Sequence, residues 1–86
     1  MLKKKKTDPL ESKIQRNIIK RYEAAGYIVV KISLCNKGGF PDLMALKDGV
    51  ATFIEVKRPG EKPRPLQQFR LDELTKAGFT AIVLTE

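Results

Sequence analysis

The sequence predicts an α/β fold in which helices flank a mixed β-sheet, in the chain order αβββαβ. An Asp-Gly dipeptide, Asp48-Gly49, separates two apolar runs, which is typical of a β-hairpin. Two segments with apolar residues at helical spacing lie before and after the first three strands, and each is followed by a glycine, Gly26 or Gly78. The last strand follows a helical crossover, so it can join the sheet parallel to a neighbour and make the sheet mixed.

The first helix is predicted to begin at Pro9, with Asp8 as N-cap and Glu11 three residues later. It runs to about Ala25, and its apolar stripe consists of Leu10, Ile14, Ile18, Tyr22 and Ala25. The second helix is predicted from about Pro65 to Ala77. Strands are predicted at 27–34, 42–47, 50–57 and 79–85, with loops at 35–41 and 58–65.

The predicted hairpin brings two acidic residues together. If Asp48-Gly49 is a two-residue loop, counting outward along both strands puts Asp42 directly opposite Glu55. Opposed residues have Cβ atoms roughly 4.5–5.5 Å apart. Lys57 lies on the same face as Glu55 because side chains alternate along a strand. We therefore expect Asp42, Glu55 and Lys57 to converge.

This convergence predicts a metal site. Two unit charges about 5 Å apart repel by roughly 3 kcal/mol at an effective dielectric near 20, and Lys57 offsets only part of that repulsion. Oxygen ligands in a chain without histidine favour Mg²⁺ or Mn²⁺. Glu11 borders the buried stripe and is a further candidate ligand, although it could equally be half of a capping box with Asp8.

Other interpretations of these residues stay open. Asp42 could be a loop residue that binds nearby amides, and Glu55 and Lys57 could be an ion pair on a solvated strand. Gln67 opens the second helix, either as a solvated helix former or as a hydrogen-bonding group for a water or a phosphate. Gly38-Gly39 is a turn signal that also lets a ligand approach the backbone.

Composition indicates one small domain with a polyanionic partner. The 86 residues carry a net charge of +7, of which four positive charges lie in the run Lys3–Lys6. We assign residues 1–7 to a basic flexible tail, either solvated or phosphate-seeking, and residues 8–86 to a single domain. No apolar run reaches the length of a membrane span, no signal peptide is visible and Cys35 is the single cysteine, so we expect a cytoplasmic protein.

The motif Pro41-Asp42 followed by Glu55-Val56-Lys57 resembles the PD-(D/E)xK nuclease superfamily. The glutamate in the first helix, the loop of residues 37–43 and Leu66-Gln67 narrow the resemblance to the virus-type replication-repair nuclease (VRR-NUC) domain. This resemblance covers about residues 11–84 and implies a restriction-endonuclease-like core.

The resemblance also implies roles for individual residues. Asp42 and Glu55 would be metal ligands together with the carbonyl of Val56, and Glu11 would complete the acidic set directly or through water. Lys57 would orient or activate the attacking water, and Gln67 would assist at the same centre. The expected DNA-binding residues are Lys37, Gly38, Gly39, Arg58, Lys62 and Arg64.

The expected activity is therefore Mg²⁺- or Mn²⁺-dependent hydrolysis of DNA phosphodiesters. Small stand-alone members of the family resemble homodimeric resolvases, which implies a homodimer acting on four-way or otherwise branched DNA. One alternative is a non-catalytic DNA-binding module on the same scaffold. Another is a magnesium-dependent phosphate-binding accessory subunit.

Overall fold

The computed structural model describes residues 8–86 in full and residues 3–4 as backbone. The predicted basic tail therefore lies largely outside the described residues, and its flexibility stays a prediction. No helix within the described part of the chain has the length and apolar character needed to cross a bilayer. The elements are β1 (Lys3–Lys4), α1 (Pro9–Ala24), β2 (Ile28–Lys31), β3 (Leu34–Cys35), β4 (Leu43–Lys47), β5 (Val50–Val56), α2 (Pro65–Lys76) and β6 (Thr80–Leu84).

The main sheet has four strands in the order β2-β4-β5-β6. β2, β4 and β5 pair antiparallel, whereas β6 pairs parallel to β5 after the crossover through α2. The mixed sheet predicted from the sequence is thus confirmed. β5 is an inner strand, which explains why its sequence is apolar on both faces.

The β4–β5 turn has the geometry that its sequence predicts. Asp48 and Gly49 have φ of 53° and 75°, and Lys47 pairs with Val50 across them. Positive φ at both central residues is the signature of the tight turn that Asp-Gly favours, and its twist matches that of the strands. The turn therefore sets the register of the whole hairpin.

The other end of this hairpin carries the acidic residues. Pairing ends with Leu43 opposite Ile54, so one further step outward places Asp42 opposite Glu55. β4 begins at Leu43 and β5 ends at Val56, so each strand is one residue shorter than predicted. The register itself agrees with the prediction.

The core lies between α1 and one face of the sheet. Ile14 and Ile18 of α1 are buried with apolar side chains of the two central strands, Leu43, Ala45, Ile54 and Val56. Asp8 caps the helix, because its carboxylate accepts the backbone N–H of Glu11 at 2.8 Å. This packing fixes the start of α1 near the end of the hairpin that carries the acidic residues.

The strand predicted at 27–34 is wrong in its extent. β2 ends at Lys31, and Leu34–Cys35 forms a separate strand that pairs with Lys3–Lys4. Ile32 donates its N–H to the carbonyl of Asp42, after which the chain leaves the main sheet. A two-residue ladder leaves no apolar periodicity in the sequence, so β1 and β3 were not predictable from alternation.

Candidate active site

Asp42 is held by the backbone of two neighbouring segments. Its Oδ2 accepts the N–H of Val56 at 2.8 Å, and its own carbonyl accepts the N–H of Ile32 at 2.8 Å. The residue is only 9% exposed. Asp42 is therefore positioned by the sheet itself, immediately after the rigid ring of Pro41.

Glu55 and Lys57 form a buried ion pair at the end of β5. Lys57 Nζ lies 3.5 Å from Glu55 Oε2, and the two residues are 7% and 2% exposed. Burying two charges is costly because both lose water, so a pair like this is weak evidence for a stabilising role. The prediction that Glu55 and Lys57 share a face is confirmed, and the pair does not lie on a solvated strand.

Glu11 lies within electrostatic reach of this site. Burial raises the pKa of Glu11 above its ordinary value, and the negative charge of Asp42 raises it further, while the positive charge of Lys57 lowers it. The cap formed by Asp8 engages the backbone N–H of Glu11 and not its side-chain carboxylate. The structure thus brings Glu11 beside the set predicted from the sequence.

The charges of the acidic residues suit a divalent cation. Asp42 and Glu55 are buried carboxylates, and Glu11 is a third carboxylate within electrostatic reach. Asp42, Glu55 and Lys57 together carry a formal charge of −1, and an ionised Glu11 makes it −2. Within residues 8–86, however, no three metal-binding side chains cluster closely enough to hold an ion by themselves. The N–H of Val56 points toward Asp42, and in a β-strand the carbonyl of a residue points to the same side as its N–H. The Val56 carbonyl would therefore supply a further oxygen.

Gln67 lies in the first turn of α2, where its side chain caps the helix. Its Oε1 accepts the backbone N–H of Arg64 at 2.8 Å, so the amide is engaged in the local structure of the helix start. The sequence predicted this position correctly as a helix start. A role for Gln67 in the chemistry stays a prediction.

The glycine loop packs tightly against α2. Gly39 has φ of 74°, and a Cβ atom there would lie 2.8 Å from Cγ of Leu66. The carbonyl of Gly38 accepts the Nε–H of Arg70 at 3.0 Å. Gly39 therefore permits this close approach, in which Gly38 takes part through its carbonyl, and the contact of the two glycines with DNA stays a prediction.

Arg58 has acidic partners. Its guanidinium lies 2.8 Å from Glu61 and 3.7 Å from Asp8. Hydrogen bonds from Arg58 lower the pKa of Glu61 to about 2. These partners neutralise part of the charge that was expected to bind phosphate. Lys37, Lys62 and Arg64, the other cations expected to bind DNA, have exposed side chains.

Two residues near the site were missed in the sequence. Arg70 anchors the glycine loop, and it looks in the sequence like an ordinary helix cation. Gln15 is 2% exposed and lies one turn after Glu11 on α1. The signal for Gln15 was present, because it is a polar residue beside the apolar positions Ile14 and Ile18.

Comparison with known proteins decides the family. Residues 31–85 match the model of the VRR-NUC domain, and this segment contains Asp42, Glu55, Lys57 and Gln67. The chain belongs to the VRR-NUC family. A solved structure of a "VRR_NUC domain" superposes with a TM-score of 0.82 at 33% identity, covering 92% of this chain and 87% of the other. The fold predicted by resemblance is confirmed.

A phage protein is also similar to this VRR-NUC domain. "Putative nuclease p44" of Acyrthosiphon pisum secondary endosymbiont phage 1 is 36% identical over 75 residues, which cover 86% of this chain and 81% of that protein. Together with the family match, this relative identifies the chain as a nuclease-type domain. Glu11 and Gln15 lie before the segment that matches the family model, so that match does not bear on a role for either residue.

Proposed function

We propose that this VRR-NUC domain is a Mg²⁺- or Mn²⁺-dependent DNA endonuclease. The observation that carries the proposal is the buried set of Asp42, Glu55 and Lys57 at the open end of the hairpin. Burying two carboxylates and an ammonium side by side is costly as a purely structural device, whereas a nuclease needs this combination of charges. The family match and the phage relative support the same activity class.

The proposed metal centre uses oxygen atoms that the fold holds in place. Asp42 and Glu55 would hold the ion with the carbonyl of Val56, and Glu11 would act through a water, because the described carboxylates do not form a compact cluster of three. A bound divalent ion polarises the scissile phosphate and makes water more acidic. The backbone N–H of Val56 holds the Asp42 carboxylate and burial restricts Glu55, so these two oxygens are positioned before substrate arrives.

Lys57 is the residue proposed to contact the attacking water and the scissile phosphate directly. Its ammonium is buried and lies 3.5 Å from Glu55, which keeps it beside the acidic pair. In the proposed reaction Lys57 orients the attacking water and stabilises the charge that develops on the phosphate oxygens. Asp42 and Glu55 more than offset the charge of Lys57, which leaves the set with a formal charge of −1 for a cation to neutralise.

DNA would be held by exposed cations beside this site. Lys37, Lys62 and Arg64 are exposed, and the whole chain has a net charge of +7, which favours salt-sensitive, sequence-independent contacts with phosphates. Arg58 would contribute only if DNA displaced Glu61 or Asp8.

The preferred substrate would be a four-way junction or another branched DNA, cut by a homodimer during replication, recombination or repair. Large apolar side chains on the surface support self-association: Ile28 of edge strand β2 is 67% exposed, and Phe69 of α2 is 53% exposed. Two centres related by a two-fold axis would suit a two-fold junction.

The test is a cleavage panel with pure, folded protein. Single-stranded, duplex, flap and four-way DNA are incubated with Mg²⁺, Mn²⁺ or EDTA, beside a Lys57→Ala variant. Cleavage of a branched substrate that requires metal and Lys57 is the expected result. Binding without cleavage by both proteins would overturn the enzyme and leave a DNA-binding module.

A further inference from the structure

Gln15 is a buried polar residue with an unusual environment. It lies on α1 between the core residues Ile14 and Ile18, and it is 2% exposed. Its side-chain carbonyl, Oε1, is buried and has no hydrogen-bond partner among the residues that the structure describes. Buried polar atoms nearly always have hydrogen-bond partners, because moving an amide out of water without a partner destabilises the folded protein. An apolar residue at position 15 would fill the same space without burying an unpaired polar atom.

The helix geometry directs this amide toward the proposed metal centre. Gln15 follows Glu11 by four residues, so the two side chains share one face of α1. Helical side chains lean toward the N-terminus of their helix, which carries the amide of Gln15 toward the turn of Glu11. Glu11 in turn is near enough to Asp42 and Lys57 for both charges to act on it.

We infer that Gln15 is a positioning residue of the metal centre, whose carbonyl accepts a hydrogen bond from a water held between Glu11 and the Asp42–Glu55 pair. The inference rests on the proposed metal-dependent function. A hydrated divalent cation presents water protons outward, and a buried amide carbonyl is a neutral acceptor for them. Gln15 thereby lets Glu11 contribute through water although the described carboxylates form no compact cluster of three.

The side-chain type fits this role better than the alternatives. A carboxylate at position 15 would add a fourth negative charge beside Glu11, Asp42 and Glu55, whereas an amide accepts the same hydrogen bond without charge. A methionine would fill the same volume without an acceptor. These two substitutions therefore separate acceptor, charge and volume.

The experiment measures Mn²⁺ binding by isothermal titration at pH 8 without DNA, in the full chain and in Gln15→Met. The matched control is Gln68→Met, which removes the same amide from an exposed position on α2. We expect Gln15→Met to fold, to bind Mn²⁺ about 10-fold or more weakly, and to gain less thermal stability from added Mn²⁺. Gln68→Met should bind as the unchanged chain does.

Binding by Gln15→Met within twofold of the unchanged chain would overturn the inference while leaving the metal-dependent nuclease intact. An unchanged chain that binds no Mn²⁺ would overturn the proposed metal centre and this inference with it. If Gln15→Met does not fold, Gln15→Glu decides, because it keeps an acceptor at the same place. Gln15→Glu is expected to bind Mn²⁺ at least as tightly as the unchanged chain, and weaker binding would contradict the role.

Discussion

The carboxylate of Asp42 takes the place of a strand carbonyl, since its Oδ2 accepts the backbone N–H of Val56 at 2.8 Å. The side chain thus extends the ladder of the hairpin by one bond beyond the last paired residues, Leu43 and Ile54. Asp42 therefore has a structural function, and the proposed metal centre would give it a second, separable one. Its oxygen satisfies a buried backbone donor, and its charge serves the proposed metal centre.

Asp42→Asn should separate these functions. The amide carbonyl of Asn can still accept the N–H of Val56, so we expect the variant to fold with little loss of stability, to bind Mn²⁺ at least 10-fold more weakly and to show no cleavage. Asp42→Ala leaves the N–H of Val56 unsatisfied, so its free energy of unfolding should be about 1–3 kcal/mol lower than that of Asp42→Asn. Equal stability of the two variants, measured by chemical denaturation, would contradict the structural function of the carboxylate.

Lys57→Met should abolish cleavage and preserve DNA binding. Methionine keeps much of the volume of the buried side chain but supplies no charge, so we expect the rate to fall by about 10²- to 10⁴-fold. Lys76→Met is the matched control, because Lys76 is an exposed cation in the last turn of α2 that belongs neither to the acidic set nor to the residues expected to bind DNA. Retained cleavage in Lys57→Met, under single-turnover conditions, would remove Lys57 from the chemistry.

Glu11→Gln should stabilise the metal-free protein at pH 7. Burial and Asp42 raise the pKa of Glu11 above 4.5, so the folded protein binds this proton more tightly than the unfolded chain does. The folded protein therefore loses stability as the pH rises from 4.5 through the raised pKa of Glu11. Glutamine does not ionise, so Glu11→Gln does not lose this stability. Thermal unfolding in EDTA should show a higher midpoint for Glu11→Gln at pH 7, and equal midpoints below pH 4.5.

A lower midpoint for Glu11→Gln at pH 7 would favour the other interpretation of this residue, in which its side chain completes a capping box with Asp8. Cleavage distinguishes the two as well. A residue that acts only in the cap leaves cleavage unchanged, whereas a residue of the metal centre does not.

Glu61→Gln should reduce stability at neutral pH and have no effect in strong acid. Arg58 lowers the pKa of Glu61 from 4.5 to about 2, so the stabilising contribution is present above pH 4.5 and disappears as the pH falls from 4.5 to about 2. Thermal midpoints of the two proteins should converge over that range. In an Arg58→Gln background, the effect of the same substitution should be smaller but still present, because the backbone N–H of residue 58 also donates to the Glu61 carboxylate.

Gly39→Ala should destabilise the fold more than Gly60→Ala does. Both glycines have positive φ, 74° and 85°, and this strain alone costs an alanine about 1–2 kcal/mol. At Gly39 the new methyl would also meet Leu66 at 2.8 Å, whereas no atom lies within 4 Å of it at Gly60. The difference in unfolding free energy measures the contact between the glycine loop and α2, and equal losses would exclude that contact.

The fold and the charged part of the site were predictable because local chemistry determines them. Asp48-Gly49 specifies a tight turn, and this turn sets the register of the hairpin. The register in turn places Asp42 opposite Glu55. The identity of α1 followed equally from its cap and its apolar stripe. In these places each local preference agrees with the complete structure.

Features that depend on the placement of individual side chains or on very short ladders were not predictable in the same way. The partners of Arg58, the cap formed by Gln67 and the anchor formed by Arg70 each depend on where a flexible side chain settles after folding. The β1–β3 ladder is too short to produce a pattern. Gln15 was missed although it lies beside Ile14 and Ile18, because the burial of a polar side chain on α1 depends on how the helix packs against the sheet.

The turn at Asp48-Gly49 limits how the length of this chain can change. One residue inserted there would slide β4 against β5 and carry the side chain opposite Glu55 to the other face of the sheet. The connection between β5 and α2 holds no such constraint at Gly60, which has open space around it. Insertions that adapt the domain to new substrates are therefore expected between β5 and α2, while the interval from Asp42 to Glu55 keeps its length.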